Sequence, residues 1–202
     1  MMCLRLPRLL AMGVVLAGAF AVSPGCSSSP DAKETVDSMG DFGLEVAKVK
    51  DSIDNTTRAL ETVAGSQPGD INANVEAYSK SVVALDKQAK VVRSRAEEMR
   101  SKGDEFFKEW EPENVSADRR VQLTSAYAKI KQDMTVAKEE FTPFLAALKD
   151  VEGYLKVDPS VKGINSVGEL VQKANDIGAR VKSRIDAVLA QVNSVRGMVS
   201  TK

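Results

Sequence analysis

Between Ile71 and Trp110, apolar or small residues recur at intervals that alternate between four and three residues without a break. The positions between them are mostly charged or polar, as on the wetted face of a helix. This spacing is the heptad pattern, in which one narrow stripe of a helix faces partner helices. It predicts a helix roughly 60 Å long, at about 1.5 Å per residue. The predicted inward stripe is Ile71, Val75, Tyr78, Val82, Leu85, Ala89, Val92, Ala96, Met99, Gly103, Phe106 and Trp110.

Three further stretches repeat this pattern and predict three more helices. The first carries Val36, Met39, Phe42 or Gly43, Val46, Val49, Ile53, Thr56, Leu60 and Val63. The third carries Leu123, Tyr127, Ile130, Met134, Ala137, Phe141, Phe144, Leu148, Val151 and Leu155. The fourth carries Val167, Val171, Ala174, Gly178, Val181, Ile185, Val188, Val192, Val195 and Val199. Tyr78, Tyr127 and Tyr154 are placed at the phase of the stripes and are interpreted as core residues rather than as a ligand site.

Side chains that can cap a helix predict where these helices begin. Asp31 with Glu34 is suited to the first helix, Ser116 to the third, and Ser166 with Glu169 to the fourth. The third connection is expected from Asp158 to Gly163.

Pro143 lies inside the third pattern. It should kink that helix, because the heptad phase continues through it. The alternative is a fresh helix that Thr142 caps, with Pro143 as its first residue.

Short connections between long helices make neighbouring helices antiparallel. The sequence therefore predicts an all-α protein. Residues 34–202 would form an elongated antiparallel up-down helical bundle, or coiled coil, of three to four long helices. Phe106, Phe107 and Trp110 would form an aromatic plug at one end of it, or a tip that touches a partner.

The first 25 residues have the features of an export signal. A basic start is followed by the apolar run Leu9 to Val22, which is too short to span a bilayer. The Gly25-Cys26 pair at its end resembles the bacterial lipoprotein signal, which implies that Cys26 is lipidated and becomes the first mature residue. Residues 26–33 would be a Ser-rich tether. The alternative is ordinary secretory cleavage after Ala21, which would leave Cys26 as a free thiol.

Lipidation would place the protein at a cell-envelope membrane. In a Gram-negative cell, Ser27 after the cysteine indicates the periplasmic face of the outer membrane. Arg5 and Arg8 are the basic residues of the leader, which has no Asp or Glu. Its removal leaves 26 basic and 28 acidic residues, a net charge of −2. This balance argues against a nucleic-acid partner.

The chain contains no histidine. That excludes Ser–His–Asp and Cys–His catalysis and the Glu-x-x-His di-iron site of helical bundles. The adjacent carboxylates Glu97-Glu98, Asp104-Glu105 and Glu139-Glu140 point about 100° apart on a helix and are interpreted as solvated faces. Lys87, Lys90, Arg93, Arg95 and Arg100 form a basic stretch, which is interpreted as solubilising because acids are interleaved with it; the alternative is weak attraction to anionic lipid headgroups. We therefore predict no catalytic residues, no metal site and no cofactor.

The C-terminal two thirds carries a set of residues that is specific in combination: Phe106, Glu109-Trp110, Arg119-Arg120, Leu123, Tyr127, Met134, Ala137, Pro143, Leu145 and Tyr154-Leu155-Lys156. In these residues the chain resembles a family of bacterial lipoproteins that is known only as a domain of unknown function. The resemblance covers roughly Val82 to Val195. Members of the family typically carry His-Asn-Leu-Asn where this chain has Val157-Asp158-Pro159-Ser160. The resemblance implies no activity.

Two functions fit these observations. The first is a non-enzymatic, lipid-anchored spacer, scaffold or interaction rod, with a protein partner or self-association. The second is a helical binding module, a sensor or carrier, for a small apolar ligand or lipid. Small residues in the stripes bear on the choice, since they either leave a cavity or bring helices closer. These residues are Ala89, Ala96, Gly103, Ala137 and Gly178.

Overall fold

The computed structural model describes residues 32–109 and 116–200, and the regular secondary structure in these two ranges is entirely helical. The prediction of an all-α protein is confirmed. The helices pack against one another around one hydrophobic cluster. Their bounds are Ala32–Ala64 for α1, Ile71–Glu109 for α2, Ala117–Val157 for α3, Val161–Ser166 for α4 and Gly168–Ser200 for α5.

The predicted stripes supply this hydrophobic cluster. On α2, every described stripe position is buried except Val92 and Ala96, which are half-buried. On α3, the exceptions are Met134, Ala137 and Phe141. These five residues lie near the middle of two neighbouring helices, so the packing is looser at one particular level.

The first long helix has a neighbour on each side, and both run antiparallel to it. Toward α2, the hydroxyl of Thr56 donates to the carbonyl of Ser81 at 3.3 Å. Glu34, near the start of α1, pairs with Lys102, near the end of α2, at 3.0 Å. Toward α5, Asp54 pairs with Lys182 at 2.7 Å.

The third helix has two antiparallel neighbours as well. Arg184 of α5 donates to the carboxylate of Glu140 at 3.2 Å. Toward α2, Lys149 pairs with Asp86 at 3.3 Å and Lys131 pairs with Asp104 at 2.6 Å. Each of the four long helices therefore has two antiparallel neighbours.

The start of the third long helix agrees with the sequence. The side chain of Ser116 accepts a hydrogen bond from the amide of Arg119 at 3.3 Å, so the predicted cap is confirmed.

The helix then continues through Pro143 without interruption. The alternative of a fresh helix beginning at Pro143 is wrong. The hydroxyl of Thr142 bonds instead to the carbonyl of Lys138, within the same helix, at 3.0 Å.

The predicted start of the last long helix is wrong. Ser166 ends α4 and donates to the carbonyl of Lys162 at 2.9 Å, so it forms no capping box with Glu169. Ser160 caps the short helix α4, where its hydroxyl accepts a hydrogen bond from the amide of Gly163 at 3.2 Å. The connection between α3 and α4 contains Pro159, and Ser160 directly after it is the first residue there with a side chain suited to cap the next helix.

Tyr154 is not a core residue. Its side chain is 60% exposed, whereas Leu155 is buried. Adjacent residues of a helix point about 100° apart, so only one of the two can occupy the stripe. In the described part of the chain, no helix combines the length and the apolar character that crossing a membrane requires.

Candidate binding groove

A groove opens between α2 and α3 at the level where their stripes are only half-buried. Its volume is about 390 Å³. Tyrosine side chains join the two helices beyond each end of it. Tyr78 donates to the carbonyl of Leu148 at 2.8 Å, and Tyr127 donates to the carbonyl of Arg100 at 3.1 Å. The groove is thus a local separation of two helices that are held together on both sides.

All four long helices line the groove with apolar side chains. Its floor consists of Phe42, Val46 and Val49 from α1 and Val181, Ile185 and Val188 from α5. Its walls consist of Ala89, Val92 and Ala96 from α2 and Met134, Ala137 and Phe141 from α3. A concave apolar surface of this size is typical of small-molecule sites, which span about 300–1,000 Å³.

The small stripe residues have both of the consequences that the sequence left open. Ala89, Ala96 and Ala137 line the groove, because their methyl groups leave the space between α2 and α3 unfilled. Gly103 and Gly178 instead allow close packing. A Cβ on Gly178 would lie 2.9 Å from the ring of Phe144, so this glycine makes room for an aromatic side chain.

Charged and hydroxyl side chains form the rim of the groove. On α2 these are Arg93, Glu97 and Arg100, which share one face because they are separated by four and three residues. On α3 they are Thr135, Lys138 and Thr142, spaced by three and four residues. Within the described residues, Arg93, Arg100, Lys138 and Glu97 form no ion pair. The rim therefore carries three cations and one carboxylate that are not neutralised by direct contact.

Other charged side chains of the same helix are paired. Lys90 lies 3.0 Å from Asp86, and Arg95 lies 2.7 Å from Glu98. The hydrogen bond from Arg95, followed by that from Lys102, holds the pKa of Glu98 below its usual value. Glu98 also pairs with Lys102, one turn further along α2, at 3.2 Å. The interpretation of the basic stretch as solubilising thus fits Lys90 and Arg95 better than Arg93 and Arg100.

The two tyrosines that flank the groove are desolvated. Burial raises the pKa of the Tyr78 hydroxyl, with a smaller contribution from the charge of Glu152. Burial likewise raises the pKa of Tyr127, and the charge of Asp104 adds to the effect. Both phenols therefore stay protonated and donate to backbone carbonyls, which makes them structural supports of the groove.

An aromatic cluster lies beyond the Tyr127 end of the groove. The rings of Phe106 and Phe107 meet edge to face at 5.1 Å, and Phe107 stacks on Tyr127 at 4.6 Å. The ammonium of Lys131 lies 4.8 Å from the centre of the Tyr127 ring. Trp110, which the sequence assigned to this cluster, lies outside the described residues.

The one modification site predicted from the sequence, Cys26, lies outside the described residues, as do the leader and most of the tether. Within residues 32–109 and 116–200, no cluster of three or more Cys, Asp or Glu side chains is placed to hold a metal ion. One member of each adjacent carboxylate pair forms an ion pair: Glu98 within α2, Asp104 with Lys131 of α3, and Glu140 with Arg184 of α5. The groove is thus the one feature of the described chain around which we build a function.

Sequence reasoning missed the rim. Lys138 and Thr135 were assigned no role, Thr142 was considered only as a helix cap, and Glu97 was interpreted as part of a solvated face. A usable signal exists in the spacing, since Arg93 directly follows the stripe position Val92 and Arg100 lies one turn after the small residue Ala96. The same combination recurs on α3, where Lys138 follows Ala137 directly.

Comparison with known proteins identifies a family and nothing more specific. No curated protein sequence and no solved structure matches the chain significantly. The model of a family described as "Protein of unknown function (DUF2959)" matches residues 36–200, which include all of the groove residues. The expected membership of a family of unknown function is confirmed, and the chain belongs to the DUF2959 family of proteins of unknown function.

Proposed function

We propose that this protein is a lipid-anchored helical binding module of the cell envelope, which holds one small apolar molecule in the groove between α2 and α3. The observation that carries the proposal is the apolar groove of about 390 Å³ lined by all four long helices. Each methylene group that a ligand buries there contributes about 0.8 kcal/mol. Burial of a short apolar chain would therefore supply the free energy of binding, and no catalytic group is needed.

The proposal includes an elongated up-down arrangement of the four long helices. Four pairs of antiparallel neighbours support it, since α1 contacts α2 and α5 while α3 contacts the same two helices. In such an arrangement the groove lies on the side of the bundle, where a ligand can enter without passing through an end.

The proposal also includes lipidation of Cys26. The Gly25-Cys26 pair at the end of an apolar run supports it, and α1 begins only six residues later, at Ala32. A short tether of that kind would hold the helical part close to the lipid surface. Mass spectrometry of the protein purified from its own membranes tests this part directly. A mature chain that begins after Ala21 with an unmodified thiol would contradict it.

Binding is tested with a naphthylamine dye whose fluorescence rises in apolar surroundings. Wild-type protein should enhance the dye's fluorescence saturably, at one dye per chain. Ala137→Leu should abolish most of the enhancement, because the added carbons would occupy the space that Ala137 leaves open. Ala84→Leu is the matched control, since Ala84 is an exposed position on α2. Equal dye binding by Ala137→Leu and the wild type would contradict the proposal.

A spacer or scaffold is the second candidate function, and helix length favours it. The 39 residues of α2 correspond to about 58 Å, which is long for a small-molecule site alone. A spacer needs length and stiffness but no groove, so Ala137→Leu should leave its function in cells intact. Loss of function in that variant, with the fold intact, would favour the binding module.

A further inference from the structure

We infer that the ligand of the groove is a single-chain anionic amphiphile of the fatty-acid class. Its carboxylate would be bound by the rim cations Arg93, Arg100 and Lys138, and its hydrocarbon chain would lie on the apolar floor. This inference rests on the proposed function and narrows it to one ligand chemistry.

Charge complementarity is the first argument. The rim carries three cations against the single carboxylate of Glu97, an excess of two positive charges. None of these cations is satisfied by an ion pair in the described part of the chain, whereas Lys90 and Arg95 on the same helix are. Guanidinium groups bind carboxylates through two parallel hydrogen bonds, which gives both strength and orientation.

The positions of the cations support a common binding point. The ion pairs Asp86–Lys149 and Asp104–Lys131 set the register of α2 against α3. Interpolation between them places Lys138 opposite the middle of the stretch between Arg93 and Arg100. These two arginines are about 10 Å apart along the helix axis, a distance that long flexible side chains reach from both sides.

The size of the groove indicates one chain. A volume of about 390 Å³ is near the lower end of the range for ligand pockets. The lined part of α2, from Ala89 to Arg100, extends over about 17 Å. These dimensions suit a single chain of medium length, and they are small for a diacyl lipid.

The test compares two photoactivatable ligands of equal chain length, an analogue of dodecanoate and an analogue of dodecanol. The full chain is held in phosphatidylcholine nanodiscs, and adducts on α2 and α3 are quantified by peptide mass spectrometry. We expect the carboxylate analogue to label groove peptides about tenfold more than the alcohol, which is the scale of one charged hydrogen bond. The double variant Arg93→Gln, Lys138→Gln should reduce that ratio to near one.

The matched control is the double variant Arg58→Gln, Lys87→Gln. It removes the same amount of charge from exposed positions that do not line the groove, so it should keep the wild-type ratio. Loss of the ratio in this control as well would mean that general charge attracts the carboxylate, and the inference would be overturned.

The remaining outcomes separate the inference from the proposed function. Equal labelling by both analogues in the wild type would overturn the anionic ligand while leaving an apolar-binding groove. An absence of groove labelling by either analogue would overturn both. Labelling that appears only in Cys26→Ala would show that the chain's own acyl groups fill the groove, which overturns a free amphiphile as the ligand.

Discussion

The phenol of Tyr127 lies against Gly103 so closely that a Cβ on the glycine would be 2.5 Å from the hydroxyl oxygen. The same hydroxyl donates to the carbonyl of Arg100, one turn earlier on α2. Tyr127 therefore both packs on α2 and bonds to it. This contact closes the groove at one end and limits how far α2 and α3 can separate.

Gly103→Ala should destabilise the protein. The ring of Tyr127 is held by its hydrogen bond, so it cannot move away cheaply, and overpacking costs about 1–3 kcal/mol. Better helix propensity offsets about 1 kcal/mol of that cost. Urea unfolding followed by circular dichroism measures the net change. Gly153→Ala is the control, because nothing lies within 4 Å of its added Cβ, and it should raise stability by up to about 1 kcal/mol. Equal effects of the two substitutions would refute the contact.

Tyr78→Phe should cost about 0.5–1.5 kcal/mol at neutral pH, because it removes the hydrogen bond to the carbonyl of Leu148. It should also change how the free energy of unfolding depends on pH above about pH 10. Burial raises the pKa of Tyr78 above its ordinary value of 10.0, so the folded state keeps a proton that the unfolded chain releases. Stability from this group is complete below that value and falls as the pH rises above it.

The measurement is urea unfolding of wild type and Tyr78→Phe between about pH 8 and 11. Lysines titrate in this range in both proteins, so their effect cancels in the comparison. We expect the stability difference between the two proteins to shrink above about pH 10. A difference that stays constant across the range would contradict the desolvation of Tyr78.

Filling the groove should stabilise the empty protein. Ala137→Leu places three additional carbons on a half-buried apolar surface, and each buried methylene contributes about 0.8 kcal/mol. Because the site stays partly open, we expect a gain of about 1 kcal/mol, measured as a higher midpoint of urea unfolding. The exposed control Ala84→Leu should change stability by less than about 0.5 kcal/mol. A clear loss of stability in Ala137→Leu would mean that the helices have already closed the gap.

Leu85→Asp should unfold the protein. Leu85 is fully buried in the stripe of α2, so the substitution places a charge without a partner among apolar side chains. Circular dichroism should show lost helicity or a strongly lowered melting temperature. Val83→Asp is the control, because Val83 is 64% exposed two residues away. Unchanged melting of Leu85→Asp would show that the stripe is assigned to the wrong face.

The heptad spacing predicted which face of each helix is buried, because that periodicity is a local property of the sequence. Leu85, Ile130 and Val192 are buried at the positions where the pattern placed them. The pattern is less precise where two apolar residues are adjacent. Tyr154 was interpreted as a core residue beside Leu155, but only Leu155 is buried. The short helix α4 was missed because six residues show no periodicity to detect.

The groove was not predictable as such, since a stripe shows direction but not the distance between helices. Ala89, Ala96 and Ala137 could equally have allowed close packing, as Gly178 does where the ring of Phe144 lies against it. The outcome depends on which large side chains from other helices reach each level. That is a property of four helices at once, and no single stretch of sequence contains it.

The most direct test of the central claim is to measure what the protein carries when it is isolated from its own membranes. Wild type and the groove-filling variant Ala96→Leu, Ala137→Leu would be purified in parallel, and their non-covalently bound small molecules quantified by mass spectrometry. We predict close to one apolar, anionic molecule per chain in the wild type and almost none in the variant. Equal amounts in both proteins, or none in the wild type, would contradict a binding groove between α2 and α3.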